Sequence, residues 1–154
     1  RDRDSFMQQL HEDITKFSAY CHKRGIQPCV RLNGTTDIRW ELIKIDGQNI
    51  FEIFPNVQFY DYTKIPTRKV SHIENYHLTW SYSEANNKYA KWYDKIAYNI
   101  AVVFNGAFPI YFKGREVVNG DETDLRFLDK DNVIVGLKAK GKARHDMSGF
   151  VIHV

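Results

Sequence analysis

Apolar runs of strand length alternate along the chain with amphipathic or polar stretches, and four of the runs end abruptly in polar side chains. Pro28–Leu32 ends in Asn33-Gly34-Thr35-Thr36-Asp37, and Val57–Tyr60 in Asp61-Tyr62-Thr63-Lys64. Tyr76–Trp80 ends in Ser81-Tyr82-Ser83-Glu84, and Ile100–Phe104 in Asn105-Gly106. Parallel α/β sheets carry their sites at the carboxyl ends of their strands. The pattern therefore marks where a site belongs without naming a reaction.

The same periodicity predicts the elements. Phe6, Leu10, Ile14, Phe17 and Cys21 recur at helical spacing, which predicts a helix over residues 5–24 with Ser5 as N-cap and Gly25 as its stop. Strands are predicted at 27–32, 57–62, 76–80 and 99–104. Thr36 or Asp37 is expected to cap a short helix over 38–43, Asp46-Gly47 to turn, and a further short helix over 50–54 to close at Pro55. A helix over 84–97 is opened by Ser83-Glu84. After residue 107, Lys113-Gly114-Arg115 reads as the tip of a hairpin, Asn119-Gly120-Asp121 as a turn, 133–137 as a fifth strand and 149–154 as a last one. No linker interrupts the chain, so residues 1–154 read as a single α/β domain. A complete eight-unit barrel takes about 250 residues. The expected fold is thus a partial (half) β/α barrel or a small open, mainly parallel sheet, with flanking helices and a C-terminal hairpin excursion.

Composition narrows the partners. With 43% hydrophobic and 27% charged residues the 154-residue chain is an ordinary globular one, long enough to bury a core. Its 10 Phe, 9 Tyr and 3 Trp serve a core or stacking platforms. A net charge of +3 permits nucleic-acid binding without arguing for it, and the one basic cluster, Lys138 to Arg144, also reads as a solvated strand end. The two cysteines, Cys21 and Cys29, match neither a redox pair nor half a zinc site and suit a reducing, cytoplasmic setting; Cys29 is expected to be buried. No apolar stretch approaches the ~20 residues of a membrane span. The start at Arg1-Asp2-Arg3-Asp4, without Met or a signal-type segment, reads as a trimmed or processed product or an incomplete frame.

The candidate chemistry sits at the strand ends. Gly34 is expected to permit a tight turn or close backbone approach, with Asn33 and Asp37 facing the crevice, or else an ordinary turn and helix cap. Lys64 and Arg68 have the chemistry to bind a carboxylate or phosphate, and a desolvated Lys64 that of a base; an ion pair of Asp61 with either is the alternative. His77 and Ser81 lie too far apart on one strand to form a dyad, and Ser81 or Ser83 also reads as a cap. Asp121, Glu122, Asp124 and Asp129 form an acidic cluster without EF-hand spacing, and Arg126 is placed to neutralise Asp124 or Asp129. His145-Asp146 with Ser148-Gly149 lacks a nucleophile elbow. No histidine spacing favours a metal site. Lys64, Asp37 and Asp124 are the candidate catalytic groups. Asn33, Arg68, Ser81, Glu84, Asn105 and Arg126 are the candidate ligand-binding groups.

Val30-Arg-Leu-Asn-Gly-Thr-Thr-Asp-Ile38, Phe59-Tyr-Asp-Tyr-Thr-Lys64, Asn75-Tyr-His-Leu-Thr79 and Asp124-Leu-Arg-Phe-Leu-Asp129 occur in order along nearly the whole chain. As a set they resemble a family of uncharacterised phage and mobile-element proteins. The layout is distantly similar to radical-SAM-like partial-barrel phage proteins, in which a strand ends in Phe-x-x-x-Thr-Lys as Phe59–Lys64 does. That resemblance implies an iron–sulfur cluster on three cysteines, which this chain does not carry; relatives place a cysteine-rich stretch upstream. The cofactor is therefore left open. The expected function is a phage-type α/β protein with a polar crevice at the strand ends for a small anionic or nucleotide-like ligand. The alternatives are a non-catalytic interaction subunit needing a partner or an upstream segment, homo-oligomeric in one form, and a nucleic-acid-binding or anti-defence factor.

Overall fold

The computed structural model describes residues 2–83 and 98–154. The helix expected over 84–97, and with it Glu84, lies outside the described residues.

The first helix, α1, spans Arg3–Lys23. Its N-cap is Asp2 rather than Ser5, because the Asp2 carboxylate accepts from the Asp4 N–H and the Ser5 hydroxyl. It ends where Gly25 takes φ +65°, with the Gly25 N–H donating to the His22 carbonyl and the Ile26 N–H to that of Cys21. Met7, Ile14 and Cys21 form its buried stripe. Neither Thr36 nor Asp37 caps a helix. Only a 3₁₀ turn forms, at Trp40–Leu42, and no side chain caps it. Strands β2 (Lys44–Ile45) and β3 (Gln48–Asn49) make a hairpin whose turn is Asp46-Gly47, both at positive φ. Helix α2 (Ile50–Ile53) follows, held by reciprocal bonds between Asn49 and Glu52.

The main sheet contains β1 (Cys29–Val30), β4 (Gln58–Thr63), β5 (Tyr76–Ser81), β6 (Ile100–Asn105), β7 (Tyr111–Phe112), β8 (Arg115–Asn119), β9 (Ile134–Lys138) and β10 (Val151–His153). Its order is β1-β4-β5-β6-β9-β8-β7, open at both ends, with β10 beside β6. Every pairing is parallel except the β7–β8 hairpin. Of the two expected architectures, the open, mainly parallel sheet is the one formed. Along one edge of β6, Ile100 and Ala101 pair with β5, and Val103 to Asn105 pair with β10.

Alternation along the strands sorts the core onto two faces. On one face Phe59, Tyr76 and Leu78 pack with Met7 and Ile14 of α1 and with Ile50 and Phe51 of α2. Farther along it, Trp80, Ile100, Val102, Phe104 and Ile134 pack with Phe108 and Phe112. The other face carries Tyr62, Ala101, Val135 and Leu137. The segment at Arg126–Leu128 covers part of it, bringing Phe127 to 5.7 Å from Tyr60 between ring centres. Parallel strands put all their carboxyl termini at one end.

Candidate crevice at the strand carboxyl ends

Two adjoining cavities occupy that end. The smaller, about 350 Å³, lies between the segment 31–37 and the end of β4. The larger, about 700 Å³, is bounded by residues 120–124 after β8, by Lys138 and Lys140, and by Phe150. They share Arg31, Tyr62 and Ser81 as lining. Tyr62, Ser81, Val103 and Leu137 form the floor, each the outermost or nearly outermost residue of its strand on that face.

Asp37 fixes the wall of the smaller cavity. Its carboxylate accepts from Thr63 Oγ1 at 2.8 Å, from the Lys64 N–H at 2.7 Å and from Arg68 Nη1 at 3.2 Å. Asn33 organises the loop before it. Its Oδ1 accepts from Thr36 Oγ1, the Ile38 N–H and Trp40 Nε1, while its Nδ2 donates to the Ile38 carbonyl. Gly34 lies in the bend of this loop. Its φ is not positive, and a Cβ there would touch nothing within 4 Å.

Behind the wall, on the α1 side of the sheet, runs a buried polar chain. Asp61 accepts from the Asn33 N–H at 2.6 Å and from the Tyr76 hydroxyl at 3.0 Å. Tyr76 in turn accepts from Arg68 Nη2 at 2.9 Å, and Arg68 makes a two-pronged pair with Glu41 at 3.1 and 2.7 Å. Burial pushes Asp61 up to about 6, against the opposing pull of Asn33, Tyr76 and Arg68. Burial, then the Asp61 charge, raises Tyr76 as well. Burial works against the Arg68 charge, and Glu41 and Tyr76 together more than restore it.

The expected residues thus separate. Lys64, Ser81, Asp37, Asn33 and Asp124 line the crevice. The Lys64 ammonium sits 5.8 Å from the Phe150 ring centre and makes no ion pair among the described residues. Arg68 is buried on the opposite side of the sheet, paired with Asp37 and Glu41 rather than with Asp61. Arg126 is buried beneath residues 120–123, donating to the carbonyls of Gly120 and Thr123 and pairing with Asp129 at 3.4 Å. Asn105 ends β6, but its amide donates to the Arg144 carbonyl and meets the His153 ring. Asp124 bonds to Arg31 and Tyr62.

Arg31, Tyr62, Lys140 and Phe150 are crevice residues absent from the sequence-based set. The signal for Arg31 was a lone charge inside the apolar run Pro28–Leu32. Burial raises the Tyr62 phenol to about 12, Arg126 opposing and Asp124 adding to the shift. Burial also pushes Asp121 up, but bonds from Lys140 and the Lys138 N–H hold its carboxyl below the ordinary value.

Among the described residues no group of three or more His, Cys, Asp or Glu is arranged to hold a metal ion. Cys21 is buried in α1, and Cys29 opens β1 at the amino end of the sheet, half-exposed rather than buried. These two thiols do not fit a three-cysteine iron–sulfur site. A groove of about 780 Å³ also runs between the N-terminal half of α1 and the β2–β3 hairpin. No described helix is long and apolar enough to cross a membrane.

A family model described as Gene product 88 matches residues 1–154, in accord with the phage-type resemblance of the sequence. No curated protein and no solved structure matches the chain.

Proposed function

The chain belongs to the gene product 88 family, and on that premise we propose that its strand-end crevice binds a small anionic or nucleotide-like ligand. The observation that carries this reading is the pair of cationic side chains, Lys64 and Arg31, at the carboxyl ends of parallel strands, in a lining that sets four basic residues against Asp37, Asp121, Glu122 and Asp124. Lys64 borders the smaller cavity without an ion pair among the described residues, and Arg31 stands where the two cavities meet. Crevices at that position are where open α/β sheets receive ligands. Phe150 and Tyr62 offer flat aromatic surfaces beside those cations, which suits a ligand that joins a ring to an anionic group. Of the radical-SAM-like likeness only the layout enters the proposal: parallel strands delivering polar side chains to one end.

Calorimetric titration with inorganic phosphate, pyrophosphate and ADP tests it. Saturable binding that weakens with salt, and falls about tenfold or more in Lys64→Ala for loss of one close charge pair, supports the reading. Absence of binding to all three ends it.

A further inference from the structure

The crevice is divided by a contact made within the chain. Asp124 Oδ2 accepts from Arg31 Nη1 at 3.1 Å, and Asp124 Oδ1 accepts from the Tyr62 hydroxyl at 3.3 Å. The segment after β8 is thereby fastened to the segment after β1, 93 residues away in sequence. Arg31 and Tyr62 line both cavities, so this contact stands at their junction.

Three observations give the contact the character of a clasp. The pair is partly open to water, with side-chain exposures of 31% for Arg31 and 58% for Asp124, and such pairs hold weakly. Arg31 has a second contact besides Asp124, its guanidinium lying 4.8 Å from the centre of the Tyr62 ring. Cationic side chains stand on both sides, with Lys64 bordering the smaller cavity and Lys140, paired with Asp121 at 3.0 Å, the larger.

We infer that Asp124 is a stand-in for the ligand, occupying on Arg31 and Tyr62 the place that a diphosphate group takes. Binding is then an exchange. Phosphate oxygens replace the two carboxylate oxygens, Asp124 swings into solvent, and the two cavities become one cleft long enough for an extended anion. Lys64 and Lys140 border the two cavities on either side of the junction at Arg31, where an elongated anion has cations along its length. This inference rests on the anion-binding reading of the crevice, and it assigns Arg31, rather than Asp124, as the residue that touches ligand.

The test is calorimetry with pyrophosphate and ADP on the full chain, with thermal melting to verify folding of each variant. Asp124→Asn is expected to tighten binding about three- to tenfold at low salt, the effect of removing one competing charge at contact distance. Arg31→Gln is expected to weaken it about tenfold or more. The gain from Asp124→Asn is expected to vanish in the Arg31→Gln background, and Glu122→Gln, the same charge change on the same segment, to give a smaller gain. Weaker or unchanged binding in Asp124→Asn overturns the inference while leaving the anion site standing. So does an equal gain from Glu122→Gln, or one that persists without Arg31. No binding by wild type overturns both.

Discussion

Tyr76 on β5 donates its hydroxyl to Asp61 on the neighbouring strand β4 at 3.0 Å, closing a fully buried carboxyl against a buried phenol. Burial raises Asp61 to about 6, above the value it has in the unfolded chain. The folded state therefore binds the proton more tightly than the unfolded state does. Its contribution to stability is complete below the unfolded value and is lost as pH rises through about 6. Urea unfolding of wild type and Asp61→Asn between pH 4 and 7 is expected to show the wild type losing on the order of 2 kcal/mol relative to the variant. Carboxyl carbon NMR is expected to give a midpoint near 6 for Asp61.

Arg68 and Glu41 form the most enclosed ion pair of the structure's polar chain, their side chains 0% and 6% exposed. Removing one partner strands the other charge away from water. Arg68→Met is expected to cost about 3–5 kcal/mol in denaturant unfolding. Adding Glu41→Leu to it is expected to recover part of the loss, because two apolar side chains leave no unpaired charge. Lys64→Ala, at the exposed end of the same strand's loop, is expected to stay within about 0.5 kcal/mol of wild type. That contrast separates a framework cation from a ligand-facing one.

Much of this was legible in the sequence, and for local reasons. The continuous apolar run 100–104 could only suit a strand buried on both faces, and it is β6, the strand with partners along its whole length. The helical spacing of Phe6, Leu10, Ile14, Phe17 and Cys21 suited α1, although the stripe it buries is Met7, Ile14 and Cys21, with Phe6 and Phe17 exposed. The parallel order followed from alternation of strands with longer segments, and it put the crevice where the polar strand ends pointed. What stayed hidden were pairings across sequence. Arg68 meets Glu41, 27 residues away, and nothing near Glu41 marks it as a partner. Asp37 looked like a cap but reaches across to Thr63 and Lys64. Arg31 and Asp124, 93 residues apart, meet only because β1 and β8 deliver their loops to the same end of the sheet.

Two glycines beside the crevice are expected to behave oppositely. A Cβ on Gly120 would collide with Val135 Cγ1 and lie 2.7 Å from Arg126 Nη1 and 3.0 Å from Leu137 Cδ2. These neighbours belong to a central strand and a buried guanidinium and have little room to yield. Gly120→Ala is expected to destabilise by about 1–3 kcal/mol through overpacking. Gly34→Ala meets open space at an ordinary φ and is expected to be neutral or slightly stabilising, by up to about 0.5 kcal/mol, by restricting the unfolded chain. Melting temperatures of the two variants check the pair.

Asn33 provides the sharpest test of how the crevice wall is held. Its amide oxygen serves three donors, including buried Trp40, and its amide nitrogen serves the Ile38 carbonyl. Asn33→Ala leaves those groups unpaired and is expected to cost about 2–4 kcal/mol, more than a single hydrogen bond, because several buried partners lose their bonds together. Asn33→Asp keeps the acceptor, loses the donor, and sets a second carboxyl beside Asp61, whose Oδ1 already takes the Asn33 N–H at 2.6 Å. Two neighbouring carboxyls resist ionising together, so both are raised in the folded state and the added penalty grows as pH rises. Asn33→Asp is therefore expected to be nearer to wild type at pH 5 than at pH 8 in urea unfolding, whereas the deficit of Asn33→Ala stays the same at both. An Asn33→Asp deficit equally flat with pH would mean that the two carboxyls do not sense each other, and that the loop moves away from β4 when its amide is lost.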